Sequence, residues 1–182
     1  MAVDIFALMT KQLTHKDTPL YKHDAHISVV CDNITSPTNV GMIFRICEAM
    51  GVKALYLCGE QMETSKRQER AARSTASSVP FCHRASAQEC ILQLKSEGYT
   101  IIALELTDCS KDLRKYIFDS HKKYALIAGA ENGGISAETL QLADDAVAIP
   151  LFGQNSSMNV VTALSICLFE CIRQLVPCDT RV

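Results

Sequence analysis

Three short segments of the chain combine glycine with polar side chains, directly after runs of apolar residues. They span residues 32–41, 129–136 and 149–159. Glycine lets a small polar ligand approach the backbone closely, and the adjoining hydroxyl, amide and carboxylate groups can then hold it by hydrogen bonds. None of the three fits the Gly-x-Gly-x-x-Gly pattern of dinucleotide sites or the Gly-x-x-x-x-Gly-Lys-Ser/Thr pattern of P-loops. The spacing therefore disfavours a site organised around the phosphates of a dinucleotide.

Arg45 is the cation that could serve such a site. Residues 38–50 have the apolar periodicity of a helix, and Arg45 lies away from the apolar stripe, one turn after Gly41. The missing side chain at Gly41 leaves open space above the backbone, which suits a ligand. The alternative is a solvated arginine paired with Glu48, three residues further on.

A second group of cations lies between the first two polar segments. Lys66, Arg67, Arg70 and Arg73 recur at spacings that form one basic stripe on a helix. Such a stripe is usually a solvated surface, but beside a nucleic-acid site it would contact phosphates. Both interpretations stay open. With 6% aromatic residues and no Trp, recognition by base stacking is not indicated.

Composition limits the classes of protein that fit. The 182 residues are 48% apolar and carry a net charge of −2, which excludes a generally basic surface, so a polyanionic partner must be held by a local patch. This length suits one domain, which we place at residues 27–182 after a polar N-terminal extension, residues 1–26, with one short helix. The first residues do not resemble a signal peptide, and the most apolar segment, 160–172, is too short to span a bilayer.

The nine cysteines favour a reducing compartment. Their number is odd and no two are spaced Cys-x-x-Cys, so we interpret them as reduced thiols that pack as small apolar residues. Cys167 and Cys171 lie four apart on a predicted helix, which could begin a metal site, but no further ligands lie nearby in sequence. We expect no metal and a cytoplasmic protein.

Short β-branched runs alternate with helical patterns along the rest of the chain. This alternation predicts an α/β fold with a mostly parallel sheet flanked by helices. The three polar segments then follow the carboxyl ends of strands, where open α/β sheets bind ligands. The predicted strands are 27–31, 53–58, 79–82, 99–104, 124–128 and 147–149, and the predicted helices are 38–50, 87–97, 136–142 and 157–175.

The last predicted helix is apolar on nearly every side. Such a helix must be covered all round, either as a central core helix or by a second copy of the chain. We predict a homodimer through this C-terminal helix, with the core helix as the alternative.

The three polar segments resemble, in order, the three motifs of the SPOUT-class RNA methyltransferases of the TrmH (SpoU) type. The first is Asn39-Val-Gly-x-x-x-Arg45, the second Gly129-x-Glu131-x-x-Gly134-Ile-Ser and the third Ile149-Pro-Leu-x-Gly153-x-x-Ser-Ser-Met-Asn159. The resemblance runs from about residue 26 to residue 175, and the chain is similar to the minimal members of that family.

The resemblance implies a C-terminal deep trefoil knot, S-adenosylmethionine as cofactor, and a dimer whose active site draws on both subunits. Carried over position by position, the functional residues are Arg45, Asn39, Glu131, Ser157 and Asn159. The cofactor-binding residues are Leu104, Gly129, Ile149, Ser157 and Met158, where Met158 replaces the Leu that is usual in the family.

The implied reaction is methylation of a ribose 2′-hydroxyl in RNA, with tRNA as the expected substrate and rRNA as the second choice. A ribose hydroxyl is a weak acid, so a cation that stabilises the developing alkoxide assists the transfer, and Arg45 fits that role better than the role of a base. Glu131 is either part of the active site or a helix cap. The alternatives are a catalytically silent RNA- or cofactor-binding protein on the same fold, and methylation of a base nitrogen, which the third motif disfavours.

Overall fold

A computed structural model describes residues 12–14, 17–19, 21–59 and 79–177. They form one seven-stranded sheet in the order β3-β2-β1-β6-β4-β7-β5, and every neighbouring pair is parallel, which confirms the predicted α/β fold with a parallel sheet. The strands are β1 Ile27–Asp32, β2 Ala54–Cys58, β3 Phe81–Arg84, β4 Tyr99–Leu104, β5 Lys111–Asp112, β6 Lys123–Gly129 and β7 Asp145–Ala148.

Helices cover both faces of the sheet, since parallel strands must be buried on both sides. One core cluster joins one face of the sheet to α1 and α4, and a second joins the other face to α2 and the end of α3. The four helices are α1 Pro37–Ala49, α2 Ala87–Ser96, α3 Ala137–Leu140 and α4 Val160–Leu175, and a 3-10 turn spans Leu113–Lys115.

Strand β6 occupies the centre of the sheet and is buried from Tyr124 to Gly129. It pairs with β1 on one side and with β4 on the other, although these strands are far apart in sequence. In this register Asp32, the last residue of β1, lies opposite Gly129, the last residue of β6. The ends of β1, β6 and β4 therefore form one edge, and the polar segments follow from it.

Several predicted boundaries were wrong by up to three residues, two of them for clear local reasons, and one short strand was missed. Helix α4 begins at Val160 rather than at residue 157, because the side chain of Asn159 caps it by accepting from the Val161 amide at 2.9 Å. Strand β3 begins at Phe81, directly after a proline that has no amide hydrogen to give to a sheet. Strand β5 was not predicted, because two residues carry no alternation.

The described cysteines are free thiols, and most of them pack in the core. Cys31, Cys47, Cys58, Cys90, Cys167 and Cys171 are buried, as expected of small apolar residues. Within the described ranges, no group of three His, Cys, Asp or Glu side chains could hold a metal ion. In the same ranges, no helix is both long and apolar enough to cross a bilayer.

Candidate active site

A pocket of about 520 Å³ opens at the carboxyl ends of β4, β6 and β7. This volume lies within the range of small-molecule and cofactor sites. The pocket is lined by all five predicted cofactor residues, and its further lining includes Glu105, Glu131, Gly133, Gly134 and Asn159. The five predicted residues are Leu104, Gly129, Ile149, Ser157 and Met158.

The glycine-rich loop after β6 forms one wall of this pocket. Ala130 and Gly134 exchange two backbone hydrogen bonds of 3.1 Å, which close the loop into a tight turn. Gly133 and Gly134 have φ values of +105° and +67°, in the region that side chains disfavour. A Cβ on Gly129 would lie 2.2 Å from the carbonyl carbon of Gly134, so only glycine lets the loop fold back over the strand end.

A chain of hydrogen bonds joins the three motifs beside the pocket. The side-chain amide nitrogen of Asn159 donates to Asn39 Oδ1 at 3.4 Å, and the side-chain amide nitrogen of Asn39 donates to Glu131 Oε1. The Glu131 carboxylate can only accept, so the side-chain nitrogen of Asn39 must face it. The Val161 backbone amide donates to Asn159 Oδ1, so the side-chain nitrogen of Asn159 must face Asn39. Asn39 is buried at the first turn of α1, where Ser36 is the N-cap. Three residues predicted from separate motifs are thus brought together.

Glu131 belongs to this cluster and is not a helix cap. The short helix that follows, α3, has Ser136 as its N-cap, with the Ser136 hydroxyl accepting from the Thr139 amide at 3.4 Å. The cap interpretation of Glu131 was therefore wrong. The exposed Glu131 side chain instead orients Asn39 and lines the pocket.

Arg45 lies on α1, six residues after Asn39, which places it about 9 Å further along the helix axis. Its side chain is exposed, and the ion pairs among the described residues do not include one between Arg45 and Glu48. The structure does not bring Arg45 into the cluster of Asn39, Glu131 and Asn159. It does leave the guanidinium on the solvent side of the helix whose first turn carries Asn39.

Thiols beneath the site are unsuited to nucleophilic chemistry. Burial raises the pKa of the Cys31 thiol well above its usual value, and the nearby Cys47 and Glu131 side chains raise it further. A thiol held protonated is a poor nucleophile. The polar groups at the pocket are therefore the ones available to bind and orient substrates.

The predicted RNA-binding residues Lys66, Arg67, Arg70 and Arg73 lie outside the described residues. Sequence reasoning missed two acidic residues at the same sheet edge, Asp32 and Glu105. Asp32 is the last residue of β1, and Glu105 directly follows β4. An acidic residue at the end of an apolar strand is the sequence signal that could have identified both.

A sequence model described as the SpoU rRNA Methylase family matches residues 26–169. The chain belongs to this family. The predicted membership is confirmed, and the motif order and the pocket at the sheet edge are now explained by descent from one SpoU-type fold.

Individual relatives and solved structures agree with the family match. The chain is 32% identical over 155 residues to a tRNA (guanosine(18)-2′-O)-methyltransferase of Thermus thermophilus, covering 85% of this chain and 78% of the relative. It is 29% identical over 167 residues to the 23S rRNA (guanosine-2′-O-)-methyltransferase RlmB of Salmonella typhi, covering 90% and 68%.

Two solved structures share the fold. The TrmH/SpoU tRNA modifying enzyme of A. aeolicus superposes with a TM-score of 0.75 at 30% identity, covering 85% of this chain and 77% of that one. The AdoMet-bound rRNA methyltransferase of Sinorhizobium meliloti superposes with a TM-score of 0.76 at 28% identity, and this chain covers 60% of its length.

Proposed function

We propose that the chain is an S-adenosylmethionine-dependent RNA 2′-O-ribose methyltransferase whose substrate is a tRNA. One observation carries the proposal: five residues predicted as cofactor ligands line a single pocket, beside which Asn39, Glu131 and Asn159 are hydrogen-bonded together. The predictions of an RNA 2′-O-methyltransferase and of its cofactor are confirmed at the level of the family and its relatives. The choice of tRNA over rRNA is our proposal, supported by the tRNA enzymes among the relatives.

The pocket fits the cofactor in both size and chemistry. Its floor is the backbone at the ends of β4, β6 and β7, which can offer N–H and C=O groups to an adenine ring. Leu104, Ile149 and Met158 supply apolar surface, and Ser157 and Asn159 supply polar groups for hydroxyl and amino groups. Bound there, S-adenosylmethionine supplies an electrophilic methyl group on a sulfonium.

The residues of the chain then align and activate the ribose. Asn159 and Glu131 border the pocket, and Asn39 holds them at a fixed separation through its two hydrogen bonds. Alignment of this kind removes much of the entropic barrier to a bimolecular transfer. The exposed guanidinium of Arg45 is a cation, and we assign it the role of stabilising the negative charge that develops on the 2′-oxygen when the hydroxyl loses its proton.

A transfer assay tests this function. The protein is incubated with methyl-labelled S-adenosylmethionine and with separate tRNA and rRNA pools from a strain that lacks the gene, followed by nucleoside analysis. We expect label in a 2′-O-methylnucleoside of tRNA. Label confined to rRNA would refute the choice of substrate, and cofactor binding without transfer to any pool would favour the catalytically silent alternative.

Two variants separate the catalytic cation from a general effect of charge. Arg45→Ala should reduce the transfer rate at least about a hundredfold, the usual effect of losing one oxyanion-stabilising group. The control is Lys123→Ala, which removes the same charge from an exposed side chain at the opposite end of β6. Equal losses in both variants would contradict the role given to Arg45.

We also propose that the chain is a homodimer through α4. The inner side of this helix is buried on the core, but Ile166 and Phe169 on its outer side are 39% and 59% exposed. A second copy would cover this apolar stripe. Light scattering should give twice the chain mass, and Phe169→Asp should give a monomer. Leu92→Asp, at an equally exposed apolar position of α2, is the control and should stay dimeric.

The knot, the domain boundaries and the location in the cell are proposals too. A deep trefoil knot in the C-terminal third is supported by the placement of β6 between β1 and β4 and by the loop that folds back over Gly129.

We place the methyltransferase domain at residues 27–182, after the extension at 1–26. A cytoplasmic location is supported by the buried free thiols.

A further inference from the structure

Two carboxylates stand on either side of the central strand, at the sheet edge that carries the pocket. Asp32 ends β1 and lies opposite Gly129 in the register. Glu105 directly follows β4, whose register with β6 pairs Ala103 with Ile127, so Glu105 is level with Gly129 on the other side. The loop that forms the pocket wall leaves β6 between them.

Asp32 holds the far end of that loop. Its side chain is buried, with 2% exposure, and its Oδ2 accepts from the Ser136 amide at 3.1 Å and from the Ser136 hydroxyl at 3.0 Å. Its Oδ1 accepts from the side-chain amide of Asn33 at 2.9 Å, which fixes the carboxyl plane. A carboxylate buried this deeply is tolerated because three donors replace its water.

Glu105 holds the neighbouring residue from the other side. Its Oε2 accepts from the Ile135 amide at 3.0 Å, and its Oε1 accepts from the Leu106 amide at 2.9 Å. A Cβ on Gly134 would lie 2.3 Å from Oε2, so the carboxylate is packed directly against the loop. Two successive backbone amides, Ile135 and Ser136, are therefore held by two carboxylates from different strands.

We propose that Asp32 and Glu105 are positioning residues that hold the loop 130–136 as a rigid wall for the cofactor. The loop supplies Ala130, Glu131, Gly133 and Gly134 to the pocket lining, and three of its residues are either glycine or alanine with little packing of their own. The helix after it has only four residues and cannot fix it alone. Asp32 does not line the pocket, so its influence on a ligand passes through Ser136.

This inference rests on the proposed cofactor pocket, and its test includes a measurement that needs no cofactor. Hydrogen exchange of the Ile135 and Ser136 amides is followed in the cofactor-free protein, for the wild type, Asp32→Asn and Glu105→Gln. Each variant keeps the shape of the side chain but loses the charge that strengthens the hydrogen bond. We expect exchange of the amide held by the altered side chain to become at least about tenfold faster, as befits a hydrogen bond to a charged group.

The second measurement is the dissociation constant of S-adenosylmethionine by calorimetry, together with KM and kcat. A mobile wall should weaken cofactor binding about tenfold or more and raise the KM for the cofactor, while kcat at saturation changes less. The matched control is Asp144→Asn. Asp144 also accepts from a strand amide, Ile101 at 2.8 Å, but at the opposite edge of the sheet, and its loss should leave both measurements unchanged.

The possible outcomes distinguish the positioning role of Asp32 and Glu105 from the proposed binding of cofactor in the pocket. Unchanged exchange at Ile135 and Ser136 in both variants would overturn the positioning role, as would equal weakening of the cofactor by Asp144→Asn. If exchange is faster in the variants but the wild type does not bind S-adenosylmethionine, the role of Asp32 and Glu105 in holding the loop is supported and the proposed cofactor is refuted. If Asp32→Asn fails to fold, hydrogen exchange of the Ile135 amide in Glu105→Gln decides alone, because Glu105 itself lines the pocket and its side chain is only partly buried.

Discussion

Replacing Asn159 separates two roles that its side chain performs at once. Its Oδ1 caps α4 by accepting from the Val161 amide, and its amide nitrogen donates to Asn39 in the active-site cluster. Asn159→Ala removes both interactions. Asn159→Asp keeps an acceptor for the cap but has no hydrogen to donate, and it places a second carboxylate near Glu131.

The magnitudes follow from the two hydrogen bonds. Loss of an N-cap costs about 1 kcal/mol, which lowers Tm by about 2–4 °C for a chain of this size. The bond to Asn39 is long, at 3.4 Å, so its loss alone costs about 0.5 kcal/mol, or about twofold in kcat/KM. Asn159→Asp should lower Tm less than Asn159→Ala does, because its carboxylate still caps α4, and yet lower kcat/KM more than about tenfold, because like charges are forced together beside a pocket.

Thermal unfolding and methyl-transfer kinetics measure the two roles separately. Ser86→Ala provides the matched control, since the Ser86 hydroxyl caps α2 by accepting from the Glu89 amide at 3.2 Å, away from the pocket. It should lower Tm as Asn159→Ala does and leave kcat/KM unchanged. The reasoning would be refuted if Asn159→Asp lost as much Tm as Asn159→Ala, or if it kept full activity.

Two further predictions concern the strand end and the core thiols. Gly129→Ala should lower the free energy of unfolding by about 1–3 kcal/mol in urea titrations and abolish cofactor binding, because the added Cβ meets backbone 2.2 Å away. Gly153→Ala, which meets nothing within 4 Å, is its control, and equal losses would contradict the argument. Burial raises the pKa of Cys47 and of Cys167 to about 12, whereas thiols of the unfolded chain ionise near 8.5. The free energy of unfolding should therefore fall as pH rises from about 9 to 12, by up to about 1.4 kcal/mol per pH unit for each thiol, and Cys47→Ala should show a smaller fall between pH 8 and 10.5. Identical pH slopes in the variant and the wild type would show that this thiol does not contribute.

Short β-branched runs between helical patterns were enough to predict the long helices and all of the sheet except β5. Strand β1 is buried along its whole length and the apolar stripe of α1 packs on the core, so the pattern and the burial coincide. The pocket followed because ligand sites of parallel sheets lie at strand ends. Motif matching also named five residues that line this one pocket, and their role in cofactor binding stays a prediction.

Side-chain contacts across the fold were beyond such reasoning. Glu131 is 92 residues from Asn39 in sequence, and only the pairing of β1 with β6 brings them within hydrogen-bonding distance. The same is true of Asp32 and Ser136, which are 104 residues apart. Local patterns do not encode such separations, so the role of Glu131 stayed open between a cap and an active-site residue until the fold was known.

The central position of β6 also governs how the chain can be made. Strand β1 ends at Asp32, but its partner β6 is complete only at Gly129, 97 residues later. At translation rates of about 5–20 residues per second, the edge of β1 that pairs with β6 stays unpaired for roughly 5–20 s during synthesis. Neither core cluster can close before then, since both contain β6 residues. We therefore expect the nascent chain to expose apolar surface until β6 has emerged, and folding to be slow and to begin only after that point.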